Sequence, residues 1–244
     1  LKLENLQFTS SFKSRGAFIA LHELDEKNKK IGVITMSAGN HAQAVAFRSQ
    51  QQGIKSIIVM PEKTPFTKIS KTKAYGAEII LTGRTLDESK LTVERLINEN
   101  GFQLVHPFDD PHIITGQGTI GLEIMEEVPN LDYLIIPIGG GGLISGISIA
   151  AKSINPDIKI IGVESELYPS MSRSLAGLNL KSGGDTLAEG IAVKTPGELT
   201  KPIVKELVDK IILVNEQQIE WAISALIEHQ SIISEGAGAA GLAA

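Results

Sequence analysis

Ile136-Pro137-Ile138-Gly139-Gly140-Gly141-Gly142-Leu143 joins an apolar run to a helical pattern through four consecutive glycines. Glycine lets the backbone turn sharply, so that several N–H groups can point together at an anion beside a helix N-terminus. The stretch therefore predicts a strand, a tight phosphate-binding loop and a helix. A turn that needs glycine only for close packing is the alternative.

The residues next to the four glycines exclude some classes of phosphate ligand. No Lys-Ser or Lys-Thr pair follows the glycines, which excludes the P-loop of nucleoside triphosphatases. The dinucleotide-binding spacing also fails, because Ile144 or Ser145 stands at its third glycine position, depending on where the motif starts. This failure disfavours a nicotinamide-dependent oxidoreductase. A phosphate monoester on a small cofactor is the preferred ligand.

A second loop of the same kind is Thr35-Met36-Ser37-Ala38-Gly39-Asn40-His41-Ala42. Its backbone N–H groups and the Ser37 hydroxyl suit a carboxylate, and Asn40 offers an amide for a ring hydroxyl. Simple capping of a helix by Ser37 or Asn40 explains the pattern equally well. His41 is a candidate general base, although a histidine in the first turn of a helix is more often structural.

Lys13 lies in Ser11-Phe12-Lys13-Ser14-Arg15-Gly16-Ala17, where a polar turn meets a predicted helix. The positive end of the helix dipole disfavours the charged form of an amine there, and a neutral amine can form a Schiff base. Taken alone, a lysine at this place is more commonly an ordinary surface residue. Together with the two loops it supplies an amine, a phosphate cup and a carboxylate site, the set that pyridoxal phosphate requires.

Short β-branched runs alternate with helical patterns along the chain. Strands are predicted at residues 31–35, 56–60, 78–81, 103–105, 134–138, 158–163 and 211–214. Capping patterns at Thr85 with Glu88, and at Asn215 with Gln218, mark two helix starts. This alternation predicts parallel sheets, and 244 residues would also fit a closed (β/α)8 barrel. Glycine loops that directly follow strands favour two open-sheet domains instead, with residues 106–111 as the crossing between them.

The bulk composition is that of an ordinary globular protein. A net charge of −5 disfavours nucleic acid as a partner, and the lack of cysteine excludes disulfides and fits a cytoplasmic setting. The uncharged residues 133–151 contain Pro137 and the four glycines, so we expect no membrane span. The chain begins at Leu1 within a strand-like pattern and stops at Ala244 within an uncapped helical pattern, so we expect a fragment lacking both ends.

Five motifs, in this order, resemble the threonine dehydratase and serine racemase family of pyridoxal-phosphate enzymes. They are Phe12-Lys13-Ser14-Arg15-Gly16-Ala17, Ser37-Ala38-Gly39-Asn40-His41, Gly116-Gln117-Gly118-Thr119, Gly139-Gly140-Gly141-Gly142-Leu143 and Glu235-Gly236-Ala237-Gly238. The similarity covers essentially the whole chain. It implies the tryptophan-synthase-β fold (fold type II), an α/β fold with two open parallel-sheet domains. Residues 1–28 and 111–244 would form the larger, cofactor-binding domain and residues 29–110 a smaller mobile domain.

The resemblance also implies roles for single residues. Lys13 would carry the cofactor as a Schiff base, Phe12 would pack against its pyridine ring, and Asn40 would bond its ring hydroxyl. The phosphate would be bound by Gly139, Gly140, Gly141, Gly142 and Leu143. The substrate carboxylate would be bound by Ser37, Ala38, Gly39, Asn40 and His41. The implied reaction is β-elimination from L-threonine, and secondarily from L-serine, to 2-oxobutanoate or pyruvate plus ammonia.

Several positions depart from the family pattern. Ser10 stands where many members have glycine, and Ala38 stands where racemases carry serine, so no side-chain proton is available there for racemisation. Ser170 stands where racemases supply a carboxylate to accompany Glu164, so no metal is predicted. A distal Ser-Gly-Gly-Asn segment that contacts the pyridine nitrogen in the family would lie past Ala244.

The resemblance therefore favours an ammonia-lyase that acts on a small amino acid and forms a homo-oligomer. A serine racemase-like enzyme and a catalytically incomplete fragment stay open as alternatives. The sequence does not separate a biosynthetic from a catabolic role.

Overall fold

The computed structural model describes residues 1–178 and 182–244, apart from the side chains of residues 86 and 87. These residues form two compact units, Leu3–Gly116 and Gln117–Ala244. The first unit thus includes residues 3–28, which the sequence assigned to a larger domain together with residues 111–244. That assignment, and the mobility of residues 29–110, stay predictions.

The first unit contains four strands and five complete helices. The strands are β1 (Val33–Met36), β2 (Ser56–Met60), β3 (Glu78–Leu81) and β4 (Gln103–Leu104). The helices are α1 (Lys13–His22), α2 (Glu26–Ile31), α3 (Asn40–Gln52), α4 (Phe66–Lys73) and α5 (Leu86–Asn100), with a 3-10 turn at Glu4–Leu6 before α1. Helix α6 (Pro111–Glu127) begins in this unit and contains the boundary between the two units. All strand pairs are parallel, in the order β3-β2-β1-β4.

Strand β2 shows why this sheet is covered on both faces. Ile58 and Met60 point into a core shared with α1, α3 and α4, whereas Ile57 and Val59 pack with Val93 of α5 on the other face. Successive side chains of a strand alternate between faces, so a strand buried on both sides has to be apolar at every position. The nearly unbroken apolar run at residues 56–60 follows from this environment.

The strand order creates a switch point between β1 and β4. From β1 the chain builds outward through β2 to β3, and it then returns to the opposite side of β1 to form β4. The loops that follow β1 and β4 therefore leave the sheet side by side at the carboxyl ends of the strands. Open α/β sheets bind ligands in the crevice at such a point.

Among its described residues, the second unit contains three strands, five complete helices and the larger part of α6. The strands are β5 (Tyr133–Pro137), β6 (Lys159–Ser165) and β7 (Lys210–Val214), all parallel and in the order β5-β6-β7. The helices are α7 (Gly142–Ile154), α8 (Ser170–Leu175), α9 (Thr200–Leu207), α10 (Glu216–Gln230) and α11 (Gly236–Ala243), with a 3-10 turn at Glu189–Ile191. Val163 and Val214 of the sheet pack with Ile219 and Leu226 of α10 and with Ala240 of α11.

The prediction of open parallel sheets rather than a barrel is confirmed. All seven predicted strands are present, with ends that differ from the predicted ones by at most two residues. The capping box of α10 is formed by Asn215 and Gln218, each of which accepts a backbone N–H of the other. At α5 the box is shifted, because Thr85 accepts from Glu88 but the Glu88 carboxylate accepts from Arg84. Within the described residues, no helix combines the length and the apolar character needed to cross a membrane.

Candidate functional site

Lys13 is the first residue of α1, immediately after Phe12 at the N-cap. Its backbone N–H donates to the hydroxyl of Ser11 at 3.3 Å, which fixes the start of the helix. Its side-chain Nζ donates to the carbonyl oxygen of Pro107 at 2.6 Å and lies 5.4 Å from the centroid of the Phe12 ring. The amine is therefore half-buried and held in a defined place, beside an aromatic ring and above the segment that follows β4.

The loop at residues 37–41 joins β1 to α3 and thus leaves the sheet at the switch point. The Ser37 backbone N–H donates to the carbonyl of Val59 at 3.2 Å, and the Ser37 hydroxyl accepts the N–H of Gly39 at 3.3 Å. Gly39 is the N-cap of α3 and Asn40 its first residue. The hydroxyl thus closes a short turn inside the loop and does not cap the helix itself, which answers the simple capping alternative for Ser37. Ala38 packs against the core of this unit.

His41 is buried, with 3% of its surface exposed, and its Nε2 lies 3.0 Å from the carbonyl oxygen of Val105. A carbonyl only accepts hydrogen bonds, so Nε2 carries the proton. Nδ1 has no hydrogen-bond partner among the described residues. Burial, followed by the positive charge of Lys13, lowers the pKa of His41 to about 3. An imidazole with such a pKa is a weak base, so the geometry favours the structural role over that of general base.

Residues 105–107, which we call the carbonyl segment, connect these groups. The carbonyl oxygen of Val105 accepts from the Thr35 hydroxyl at 2.7 Å and from His41, while that of Pro107 accepts from Lys13. The ring of His106 in the same segment accepts the N–H of Asp109 at 2.8 Å through Nδ1, and burial lowers the pKa of His106. The segment thus links the start of α1 to the loop before α3. The sequence identified Lys13 and His41 but not these carbonyls, since backbone acceptors leave no mark in residue types.

The tetraglycine loop of the second unit joins β5 to α7. Gly140, Gly141 and Gly142 are buried, and Gly141 is the N-cap of α7 with a left-handed φ of +97°. A Cβ atom on Gly141 would lie 2.7 Å from the Oγ1 of Thr200, and one on Gly139 would lie 3.2 Å from backbone Cα of Ile191. Close packing therefore requires glycine at position 141, as the alternative interpretation of this loop predicted. The first N–H groups of α7 have no acceptor inside the helix, so the same loop also offers donors to an anion.

The sequence-predicted residues are thus divided between the two units. The first unit contains Lys13, Phe12, Ser37, Ala38, Gly39, Asn40 and His41. The second unit contains Gly139, Gly140, Gly141, Gly142 and Leu143. The donor chemistry of both sets fits pyridoxal phosphate, because a fixed amine beside an aromatic ring suits an aldehyde on a planar ring and buried N–H groups suit a phosphate.

Glu164 and Ser170, the two positions compared with a metal site, are both buried. The Glu164 carboxylate accepts the backbone N–H groups of Met171 at 2.7 Å and Ser172 at 3.0 Å, and burial raises its pKa. In the part of the chain that the structure describes, no cluster of three or more His, Asp or Glu side chains is placed to hold a metal ion. The Glu164 oxygens are occupied by the start of α8.

Ser10, where the resemblance implies a glycine in many members, has a φ of +55°. This is the left-handed region that side-chain-bearing residues adopt only at a cost. Its backbone N–H donates to Gln7 at 2.7 Å in the turn that leads to Lys13. Ser10 therefore places mild backbone strain three residues before the candidate amine.

Comparisons with known proteins identify the family of the chain. The profile of the family described as pyridoxal-phosphate dependent enzyme matches residues 1–244. The chain is 51% identical over 246 residues to L-threonine ammonia-lyase of Thermotoga maritima, across 100% of this chain and 61% of that protein. It is 50% identical over 241 residues to the catabolic L-threonine dehydratase of Staphylococcus aureus, across 98% of this chain and 70% of that protein.

A solved structure shares the fold. Serine racemase from Dictyostelium discoideum superimposes with a TM-score of 0.93 at 43% identity, across 100% of this chain and 78% of that one. The chain therefore belongs to the pyridoxal-phosphate dependent enzyme family. It spans about three fifths of the length of the Thermotoga maritima relative.

Proposed function

We propose that this member of the family is an L-threonine ammonia-lyase that acts secondarily on L-serine. The products would be 2-oxobutanoate or pyruvate, with ammonia. The observation that carries the proposal is the Lys13 amine, held 2.6 Å from the Pro107 carbonyl beside the switch point of the first sheet. The 51% identity to an L-threonine ammonia-lyase supports the choice of substrate.

The residues divide into those that would hold the cofactor and those that would hold the substrate. The cofactor would be held by Phe12, Lys13, Asn40, Gly139, Gly140, Gly141, Gly142 and Leu143. The substrate carboxylate would be bound by Ser37, Ala38, Gly39, Asn40 and His41. Pyridoxal phosphate, when bound, supplies an electron sink for the negative charge that develops at the substrate Cα.

Lys13 would move the proton at the substrate Cα. An amine that accepts this proton must be neutral and must be aimed at one atom, and the Pro107 carbonyl and the start of α1 restrict where the side chain can lie. A positioned general base contributes roughly 10²–10⁴-fold to the rate. His41, whose pKa of about 3 keeps it neutral, would keep the loop before α3 attached to the carbonyl segment.

The wider assignments belong to the same proposal. Residues 1–28 and 111–244 would form the cofactor-binding domain, and residues 29–110 the mobile one. We propose a cytoplasmic homo-oligomer with a role in amino-acid metabolism, either in isoleucine biosynthesis or in threonine breakdown. The name of the Staphylococcus aureus relative supports breakdown, whereas the lack of cysteine supports the compartment.

The test is release of keto acid from L-threonine and from L-serine by purified protein supplied with pyridoxal phosphate. We expect release from both, with threonine preferred, and a loss of at least about 10³-fold in Lys13→Ala. Lys30→Ala, which removes an exposed lysine at the end of α2, is the matched control and should behave as the wild type. Equal activity of Lys13→Ala and wild type would overturn the proposal.

A serine racemase-like activity is the second candidate, because the fold matches that of a serine racemase with a TM-score of 0.93. Racemisation needs a proton donor on the face of the substrate opposite to the base. Ala38 has no transferable proton, which argues against it. Chiral chromatography of L-serine incubations distinguishes racemase from ammonia-lyase activity. Faster formation of D-serine than of pyruvate would contradict the lyase proposal. A catalytically incomplete chain would bind pyridoxal phosphate and form neither product.

A further inference from the structure

Thr200 is the first residue of α9 and is fully buried. Its hydroxyl lies 2.6 Å from the carbonyl oxygen of Gly140, within the tetraglycine loop, and 3.3 Å from that of Gly197. The shorter distance identifies Gly140 as the main acceptor, since a hydroxyl has one proton to donate. The backbone N–H of Gly197 also donates to Gly140, at 3.1 Å. Two donors therefore fix one carbonyl of the loop.

Fixing this carbonyl also fixes an N–H group. The peptide unit between Gly140 and Gly141 is planar and trans, so its N–H points opposite to its C=O. With the Gly140 oxygen turned toward α9, the Gly141 N–H is directed away from α9. Glycine has no side chain to limit its dihedral angles, so the two hydrogen bonds to the Gly140 carbonyl help to set the orientation of this peptide.

The space around Gly141 shows that the contact is a close one. A Cβ atom on Gly141 would lie 2.7 Å from the Thr200 hydroxyl oxygen and 2.8 Å from the terminal methyl of Met171. The loop and the start of α9 thus pack directly against each other. Thr200 is 60 residues from Gly140 in sequence.

We propose that Thr200 is a positioning residue for phosphate binding: its hydroxyl orients the tetraglycine loop so that the loop N–H groups face a phosphate monoester. The inference rests on the proposed binding of the cofactor phosphate by this loop. It adds a side chain that does not touch the phosphate and acts through the Gly140 carbonyl.

The test compares pyridoxal phosphate with pyridoxal, which lacks the phosphate. The dissociation constants of both are measured by equilibrium dialysis on the whole protein. The ratio of the Kd of pyridoxal to the Kd of pyridoxal phosphate isolates the contribution of the phosphate. Thr200→Val keeps the shape of the side chain but removes the donor, and loss of one such hydrogen bond should lower the ratio about tenfold. Thr200→Ser keeps the hydroxyl, and its ratio should stay within about twofold of the wild-type value.

Thr186→Val is the matched control, because the Thr186 hydroxyl donates to Glu216 at 2.7 Å and not to the glycine loop. It should leave the ratio unchanged even if it lowers thermal stability. Circular dichroism melting checks each variant, and Thr200→Ala replaces Thr200→Val should the valine variant not fold.

An unchanged ratio in Thr200→Val would overturn the inference, even if binding of both ligands were weakened equally. A serine variant that behaves like the valine variant would overturn it as well. A wild-type ratio near one would overturn it as well, by removing the phosphate role of the loop. The keto-acid assay of Lys13→Ala does not depend on that ratio, so failure of the proposed function is seen separately.

Discussion

The amine region of the first unit, which comprises Lys13, Thr35, His41 and the carbonyl segment, differs from the tetraglycine loop of the second unit in which groups of the chain make its contacts. In the amine region, side chains of Lys13, His41 and Thr35 donate to backbone carbonyls of Val105 and Pro107. In the tetraglycine loop the proposed ligand-binding groups are backbone N–H groups, and the Thr200 hydroxyl of α9 donates to the Gly140 carbonyl. The first region is therefore sensitive to removal of a chemical group, whereas the second is sensitive to addition of a single carbon atom.

Gly141→Ala should have the largest effect on stability. The new Cβ would have to coexist with the Thr200 hydroxyl at 2.7 Å, at a φ of +97° that disfavours alanine. We expect the free energy of unfolding to fall by about 3 kcal/mol, from overpacking and backbone strain together. Chemical denaturation followed by circular dichroism measures this, and binding of pyridoxal phosphate should be lost.

Gly177→Ala, in the same unit, separates the effect of backbone strain from the effect of overpacking. Gly177 also has a left-handed φ, of +70°, but a Cβ there would meet no atom of the described residues within 4 Å. Strain alone should cost about 1 kcal/mol and leave cofactor binding unchanged. If Gly141→Ala cost no more than Gly177→Ala, the close packing against Thr200 would play no part.

The pH dependence of stability should report on His41 in the amine region. Its pKa is about 3 in the folded protein and about 6.5 when unfolded, so between these values the unfolded chain binds a proton that the folded chain does not. Stability must then fall as the pH falls from about 6.5 toward 3, by about 2 kcal/mol at pH 5. His41→Gln retains an N–H donor for Val105 and does not titrate, so its stability should vary less over this window.

Urea denaturation at pH 7 and pH 5 measures how much the free energy of unfolding changes between these pH values in wild type and in His41→Gln. His106, whose pKa burial also lowers, contributes in the same direction and should remain visible in His41→Gln. An identical pH dependence in wild type and His41→Gln would mean that the imidazole is accessible to protons and does not act as a fixed donor.

Asp209 tests a charged contact of the second unit at the opposite edge of its sheet from the tetraglycine loop. Its carboxylate accepts the backbone N–H of Ile160 at 2.9 Å and pairs with Lys152 and Lys159, each at 3.1 Å. The hydrogen bond from Ile160, followed by those from the lysines, lowers its pKa to about 2. The stabilisation is present above the ordinary value near 3.8 and is lost as the pH falls through 2.

Asp209→Asn should therefore lower the free energy of unfolding at pH 7 by about 1 kcal/mol, a value reduced by solvent screening of a partly exposed pair. The difference from wild type should disappear near pH 2, and binding of pyridoxal phosphate should not change. Denaturation curves at both pH values and a cofactor titration measure these effects. A loss of cofactor affinity would show that the two edges of this sheet are coupled.

Ser10→Gly should have the smallest effect, and a stabilising one. Glycine adopts the φ of +55° without strain but loses more backbone entropy on folding, which leaves a net gain of about 0.5 kcal/mol. A thermal melt detects it, with Ser11→Gly as the control that should lower stability, because the Ser11 hydroxyl accepts the N–H of Lys13. A lower melting temperature for Ser10→Gly would mean that its side chain has a role of its own.

The sequence predicted local features better than distant ones. All seven strands followed from β-branched runs, and the start of α10 followed from Asn215 and Gln218. These signals involve neighbours in the chain, whose backbone preferences are set locally. At α5 the same signal gave the right start, but the bond partner of Glu88 shifted by one residue, because a long carboxylate side chain reaches either N–H.

The carbonyl segment and Thr200 were not predicted, for two physical reasons. The place of β4 beside β1 is a matter of strand order, which the alternation of strands and helices does not specify. The bond from Thr200 to Gly140 joins residues far apart in sequence, and a buried threonine at the start of a helix resembles any other. The interpretation of residues 106–111 as a crossing between domains stays a prediction. It did not include the acceptor roles of Val105 and Pro107, which accept the bonds of His41 and Lys13.

The proposed function depends on a reaction between the Lys13 amine and the aldehyde of pyridoxal phosphate. Borohydride reduction of the protein with bound cofactor, followed by peptide mass spectrometry, tests it directly. We expect a single reduced adduct on the peptide that contains Lys13, retained in Lys30→Ala and absent in Lys13→Ala. An adduct on another lysine, or one that survives in Lys13→Ala, would contradict it.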